Sequence, residues 1–269
     1  MDAFAVAFWR LVGASTLFAL WGLATGSLGL EGADARVIAF GGILLAYHLA
    51  LWVWAFDMTD YASNLLLLVV QPIMAALFGM RLGEKTSRAT WFSVALAILG
   101  LGVIAGGDVA LGPRALLGDA ISVISGLGIT LFYAITRTAR RTAPLPAFMA
   151  LAMGTGALSL VPLLIATHAR VIGYPAHSWA WLGALVLITT VGGHGLMNYV
   201  ARHVTLFTLN VVIVLEPPIG VALGWPLFGA RMTAVQIAGG LILAVAVVIG
   251  LLPDWAQHRE MSVAEVDGT

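Results

Sequence analysis

Residues 61–83, YASNLLLLVVQPIMAALFGMRLG, are answered 146 positions later by residues 207–229, FTLNVVIVLEPPIGVALGWPLFG. Each stretch is long and apolar enough to cross a hydrocarbon core, which takes about 20 helical residues. Asn64 meets Asn210, Pro72 meets Pro218, Ile73 meets Ile219 and Gly83 meets Gly229. The same shift carries 35–83 onto 181–229 without a gap, and it adds His48 on His194 and Thr59 on Thr205. Apolar matches carry little weight in so apolar a chain. The His and Asn matches carry more, because the sequence has only six His and three Asn.

Working outward, nine stretches are long enough to span: 3–25, 36–56, 61–82, 89–107, 115–137, 147–168, 179–201, 206–229 and 234–252. The separators are short and rich in turn residues, so none holds a soluble domain. An all-α, polytopic transmembrane bundle follows, because helices satisfy their own backbone hydrogen bonds in lipid. A membrane β-barrel would show alternating segments of about ten residues instead.

Composition agrees. Hydrophobic residues make up 61% of the chain and charged residues 10%, against about 25% charged in soluble domains. The surplus must face lipid. A formal net charge of zero argues against nucleic-acid binding. The absence of cysteine excludes disulfides, thiolate metal sites and thiol catalysis. No basic region precedes the first apolar run, so no cleavable signal is expected. The polar stretch 254–269 is expected to be a disordered cytoplasmic tail.

Basic residues set the orientation. One face receives Arg36, Arg81, Lys85, Arg88, Arg137, Arg140, Arg141, Arg202 and Arg259, and the other only Arg114, Arg170 and Arg231. The first face, with the C-terminus, is therefore assigned to the cytoplasm of a cell (inner or plasma) membrane. The repeated blocks then run in opposite directions. Inverted repeats recur in secondary transporters, with the substrate at the repeat interface. The division expected is a first repeat over 1–110, a second over 111–253 and the tail. The repeat register gives the second half five spans and the first half four, so the counterpart of 115–137 would precede Met1.

Beyond these patterns, SNLLLLVVQPIMAALFGMRLGEKTS (63–87) and LNVVIVLEPPIGVALGWPLFGARMT (209–233) resemble the fourth and ninth helices of the EamA family, in the drug/metabolite transporter superfamily. AFWRLVGA (7–14) resembles the second helix and LLGDAISVISGLGITLFYAITR (116–137) the sixth. AYHLALW (46–52) is similar to the third helix of amino-acid exporters of the YddG type, where a His lies in the cavity. The resemblance implies ten helices in two inverted halves and a secondary transporter, often an exporter. Two departures stand out: no first helix, and Ala230 where the family's second hallmark usually has Glu.

Polar groups at membrane depth are costly and mark functional candidates. The substrate-contacting candidates are Tyr47, His48, Trp52, Asn64, Gln71, Tyr133, His194, Asn198 and Asn210. His48 lies mid-span and offers an imidazole that both donates and accepts. Thr190, His194 and Asn198 fall at i, i+4 and i+8, one stripe of a helix that must face the interior. Asn64 and Gln71 share a face, and Ser122, Ser125, Gly126, Ile129 and Tyr133 form another. Each group has a plainer reading as helix packing. Glu216, followed by Pro217 and Pro218, either couples protons or belongs to a helix bend. Arg10 reads as an anchor of the bundle. Gly22/Gly26, Gly102/Gly106 and Gly220/Gly224 read as helix-contact pairs, and Trp54, Trp91, Trp179 and Trp181 as an interfacial belt.

No HExxH motif is present for an intramembrane protease, and no metal or cofactor is expected. A small-molecule substrate, the lipid bilayer and a monomer or homodimer are. Export of amino acids or similar amphipathic metabolites is the leading expectation. Efflux of lipophilic drugs and a non-transporting scaffold are the alternatives.

Overall fold

The computed structural model describes residues 1–269 apart from 69, 82, 84–86, 109–111, 214–222, 224–225, 227–228, 230–231 and 268–269. Every regular element among the described residues is helical. In order they are α1 (Ala3–Thr25), α2 (Ala35–Ala55), α3 (Tyr61–Leu67), α4 (Val70–Arg81), α5 (Arg88–Asp108), α6 (Pro113–Ala139), α7 (Leu145–Ala166) and α8 (Ala176–Ala184). A π-helical segment (Leu185–His194), α9 (Gly195–Val200), α10 (Leu206–Ile213) and α11 (Ala234–Asp267) follow. Among the described residues, six helical stretches are long and apolar enough to cross a membrane: 3–25, 35–55, 61–81, 113–139, 145–166 and 176–200. Shorter apolar helices cover 88–104 and 234–250. The span expected at 206–229 begins as α10, and most of its remainder lies outside the described residues.

Helix starts follow from the sequence. Asp2 accepts from the Phe4 and Ala5 amides, Asp34 from Arg36, and Asp60 from Ala62, each satisfying a free N–H of a first turn. α1 stops where Gly26 turns left-handed at φ 65° and the Ser27 amide closes on Gly22 O at 2.8 Å.

The chain forms two compact units. Unit 1 holds residues 1–57 and 124–204, and unit 2 holds 58–123 and 205–269. The cuts after Asp57 and Val204 lie 147 residues apart (204 − 57), within one residue of the repeat offset. Each unit thus draws equivalent pieces from both repeats, and α6 contributes its first part to unit 2 and its second to unit 1.

In unit 1, α7 packs against both α1 and α2. A Cβ on Gly42 would stand 1.9 Å from Ala152 O, and one on Gly156 would stand 2.5 Å from Gly42 O. These glycines therefore set the α2–α7 spacing. In unit 2, α5 packs along α11, with Gly100 and Gly239 at the contact: a Cβ on either would lie 3.0–3.1 Å from the other's carbonyl. The outward faces of both units are apolar: Leu23 is 67% exposed, Leu158 71% and Leu241 63%. This is the pattern of helices solvated by lipid.

Two expectations are corrected, on the glycine pairs and on the tail, while the span expected over 61–82 stands as the apolar stretch 61–81, tightened where α3 meets α4. Pro72 has no N–H for Leu68 O, and its ring clashes there. Leu68 O instead takes the Gln71 amide at 3.0 Å, a tighter i→i+3 bond. The Gly102/Gly106 pair meets nothing within 4 Å among the described residues, and the contact falls to Gly100. Gly22 is close to Leu28 and Pro146 but Gly26 is open, while Gly220 and Gly224 lie outside the described residues. Finally, the tail is not disordered over 254–267, because α11 continues to Asp267. Ala256, Gln257, Arg259, Glu260, Met261, Ala264 and Glu265 favour helix, and that propensity outweighs the polar composition.

Candidate functional site

Unit 1 buries a set of polar side chains from four helices. His48, on α2, is 6% exposed. Its Nδ1 lies 3.0 Å from Ser125 O and 2.8 Å from Ser125 Oγ, and that hydroxyl donates to His48 O at 3.0 Å. A carbonyl only accepts, so Nδ1 carries the proton and Nε2 is left as an acceptor. Trp52, one turn on, stacks with the imidazole at 6.4 Å and 15° and meets Phe56 edge-on at 5.1 Å. α6 packs on α2 here: a Cβ on Gly128 would meet Leu44 O at 3.4 Å and His48 Cβ at 3.6 Å, in ordinary contact.

The second polar group lies on the π-helical segment and α9. Thr190 and Asn198 are fully buried and His194 partly so. The stripe expected from their spacing does face the interior of unit 1. Tyr133 OH, on α6, is 3.4 Å from His194 Nδ1. Asn198 accepts from Thr136 Oγ1 at 2.9 Å and donates to His194 O at 2.7 Å. Arg10, on α1 and 4% exposed, donates from Nε to Thr190 Oγ1 at 3.1 Å and from Nη2 to Thr189 Oγ1 at 3.3 Å. Arg10 and His48 both lie within electrostatic reach of His194. The histidines paired by the repeat therefore share one interior.

The wide backbone turn makes the arginine clamp. In an α-helix, neighbouring residues point about 100° apart. Here i→i+5 bonding brings both Thr189 and Thr190 to one guanidinium, and both hydroxyls also donate to Leu185 O, at 2.7 and 3.1 Å. Sequence spacing did not reveal this segment. Its one signal is Gly192–Gly193 following two threonines. π segments concentrate at functional sites.

Unit 2 gathers the amide candidates. Asn64 and Asn210 are fully buried and Gln71 is 1% exposed. Asn64 Oδ1 accepts from Ser122 Oγ at 2.5 Å, and Asn210 Nδ2 donates to Leu206 O at 2.8 Å. Gln71 Oε1 has no hydrogen-bond partner among the described residues. Two further groups were missed. Asp119, six residues into α6 and 5% exposed, accepts from Thr59 Oγ1 at 2.5 Å. Gln236, on α11, donates to Asp60 Oδ1 at 2.9 Å and Ser63 Oγ at 3.0 Å. Asp119 adds a second carboxylate to the one the sequence placed deep in a span. That one, Glu216, lies outside the described residues with Pro217 and Pro218.

The candidates thus divide between the units. His48, Trp52, Tyr133, His194 and Asn198 come together in unit 1, while Asn64, Gln71 and Asn210 lie in unit 2. Tyr47 stands apart from its neighbour His48: it is 38% exposed, with its hydroxyl 3.4 Å from Ser159 O. Three or more His, Asp or Glu side chains do not gather into a metal cluster among the described residues.

The EamA-like transporter family matches residues 116–252. An uncharacterized transporter of Archaeoglobus fulgidus is 24% identical over 202 residues, covering 74% of this chain and 70% of that protein. A crystal structure of a protein superposes with a TM-score of 0.70 at 18% identity, over 94% of this chain and 88% of the other. That likeness shows the shared fold.

Proposed function

Since the chain belongs to the EamA-like transporter family, we propose that this polytopic membrane protein is a secondary transporter that exports amino acids or similar amphipathic metabolites by alternating access. It is a carrier and not an enzyme. The observation that carries this reading is the acceptor Nε2 of His48, set beside the Trp52 ring inside a shell of lipid-facing helices. A buried acceptor suits an ammonium or hydroxyl donor, and an indole face suits an apolar side chain or a cation. Tyr133 and His194 add a polar pair in the same interior. In unit 2, Asn64, Gln71 and Asn210 remain candidate solute contacts, and Glu216 remains the candidate for proton coupling. The charge bias of the loops supports a cytoplasmic C-terminus in the inner or plasma membrane, for a monomer or homodimer.

The test is counterflow of radiolabelled amino acids in liposomes holding the full chain. His48→Ala is expected to lose flux while the exposed Arg88→Gln keeps it. Glu216→Gln losing proton-driven uptake but keeping exchange is the result expected of a coupling carboxylate. Absence of flux for every small metabolite tried overturns the proposal.

A further inference from the structure

One corner of unit 1 collects positive charge from the ends of α6 and α9. Arg140 and Arg141 follow the end of α6, Arg137 lies one turn before Arg141, and Arg202 and His203 follow the end of α9. Arg140 is 3% exposed. It donates to Ala143 O, and from Nε to Asn198 O at 3.4 Å. Next to Asn198, the Tyr199 ring carries Arg202 at 5.7 Å. Burial, with Arg202 adding repulsion, holds the Arg140 guanidinium down to about 10.

The second part of unit 1, residues 124–204, contains no Asp or Glu. Within unit 1 the acidic residues at this end are Glu31 and Asp34, in the loop that Thr142 Oγ1 meets through Gly32 O at 3.3 Å. Asp34 is engaged as the cap of α2. Neither carboxylate forms an ion pair with Arg140, Arg141 or Arg202 among the described residues. Exposed basic loops serve to orient a membrane protein, but orientation does not require a guanidinium buried against Asn198.

We propose that this corner binds the phosphate headgroup of an anionic lipid. Lipid is favoured over a soluble anion because the basic corner continues into an exposed apolar strip. On α9, Leu196 is 62% exposed and Tyr199 49%, at i and i+3, and His203 follows at i+7 on the same face. An acyl chain lies against Leu196 and Tyr199 while its phosphate meets Arg202 and Arg141. Basic pockets at helix ends recognise such headgroups by this chemistry.

The test reads lipid retention and not flux, so it is independent of the transport proposal. The full chain is reconstituted in nanodiscs of mixed phosphatidylglycerol and phosphatidylcholine, then released, and bound lipid is counted by native mass spectrometry. The unmodified chain is expected to keep phosphatidylglycerol in preference, and to lose that preference as salt rises. Arg141→Gln with Arg202→Gln, both at exposed positions, is expected to weaken retention roughly 30-fold. The charge-matched pair Arg81→Gln with Arg88→Gln, in unit 2, is expected to leave it intact. Equal retention of the two lipids, a salt-independent preference, or equal loss in both double variants overturns the proposal. Inorganic phosphate displacing the lipid at low concentration overturns it in favour of a soluble anion.

Discussion

Replacing Thr190 by valine isolates the arginine clamp. The two side chains have nearly the same shape and both are β-branched, so packing and helix propensity change little. What is lost is the acceptor of Arg10 Nε–H, a 3.1 Å bond in a place where Arg10 is 4% exposed and Thr190 fully buried, together with the bond the hydroxyl donates to Leu185 O. A hydrogen bond to a charged group contributes about 1.5–3 kcal/mol, so the variant is expected to lose about 2 kcal/mol. For a chain of this size that is a fall of about 4–8 °C in unfolding midpoint. Thr189→Val removes a longer, more exposed bond of 3.3 Å and is expected to cost under about 1 kcal/mol. Tryptophan fluorescence during heating in mild detergent measures both. The decisive arm is the double-mutant cycle: with Arg10→Met already present, Thr190→Val should cost only the Leu185 bond, about 1 kcal/mol. An undiminished cost in the Arg10→Met background, or no cost in the single variant, refutes the clamp.

Two further outcomes follow from the same geometry. Gly42→Ala places a methyl 1.9 Å from Ala152 O, forcing α2 from α7, and is expected to cost about 1–3 kcal/mol. Gly102→Ala, with nothing within 4 Å, is expected to be neutral or to gain up to about 1 kcal/mol; thermal midpoints of the pair should move in opposite directions or not at all for the second. Asp119→Leu removes the acceptor of the buried Thr59 hydroxyl and is expected to cost about 1–3 kcal/mol. Asp119→Asn keeps an acceptor oxygen and should cost much less, so equal losses in the two variants count against the assigned bond.

The helical spans were legible because lipid imposes a length and an apolar composition that the sequence must display directly. The inward stripe of Thr190, His194 and Asn198 was legible for the same reason, since polar groups facing lipid are costly. The π-helical segment was not legible, because the contacts it makes are distant in sequence, Arg10 lying 180 residues from Thr190. Asp119 was passed over because a carboxylate near a span end reads as a boundary; only Thr59, on the preceding turn, shows it to be buried. The glycines failed in a different way. GxxxG spacing says that two residues share a face but not that the face meets another helix, and Gly100 and Gly42 are the positions that meet one. Pro72 held the signal for the division of α3 from α4, but an uninterrupted apolar run concealed it.

The cuts after Asp57 and Val204 have a consequence for how the chain can be taken apart. A gene divided between α5 and α6 would give each product one sequence repeat and neither product a whole unit. Arg10 would be made apart from Thr190, and His48 apart from Ser125. The two products, made together, must exchange segments to recover those pairings. The halves of the chain are therefore interlocked: each supplies part of both units, so neither is an independent module.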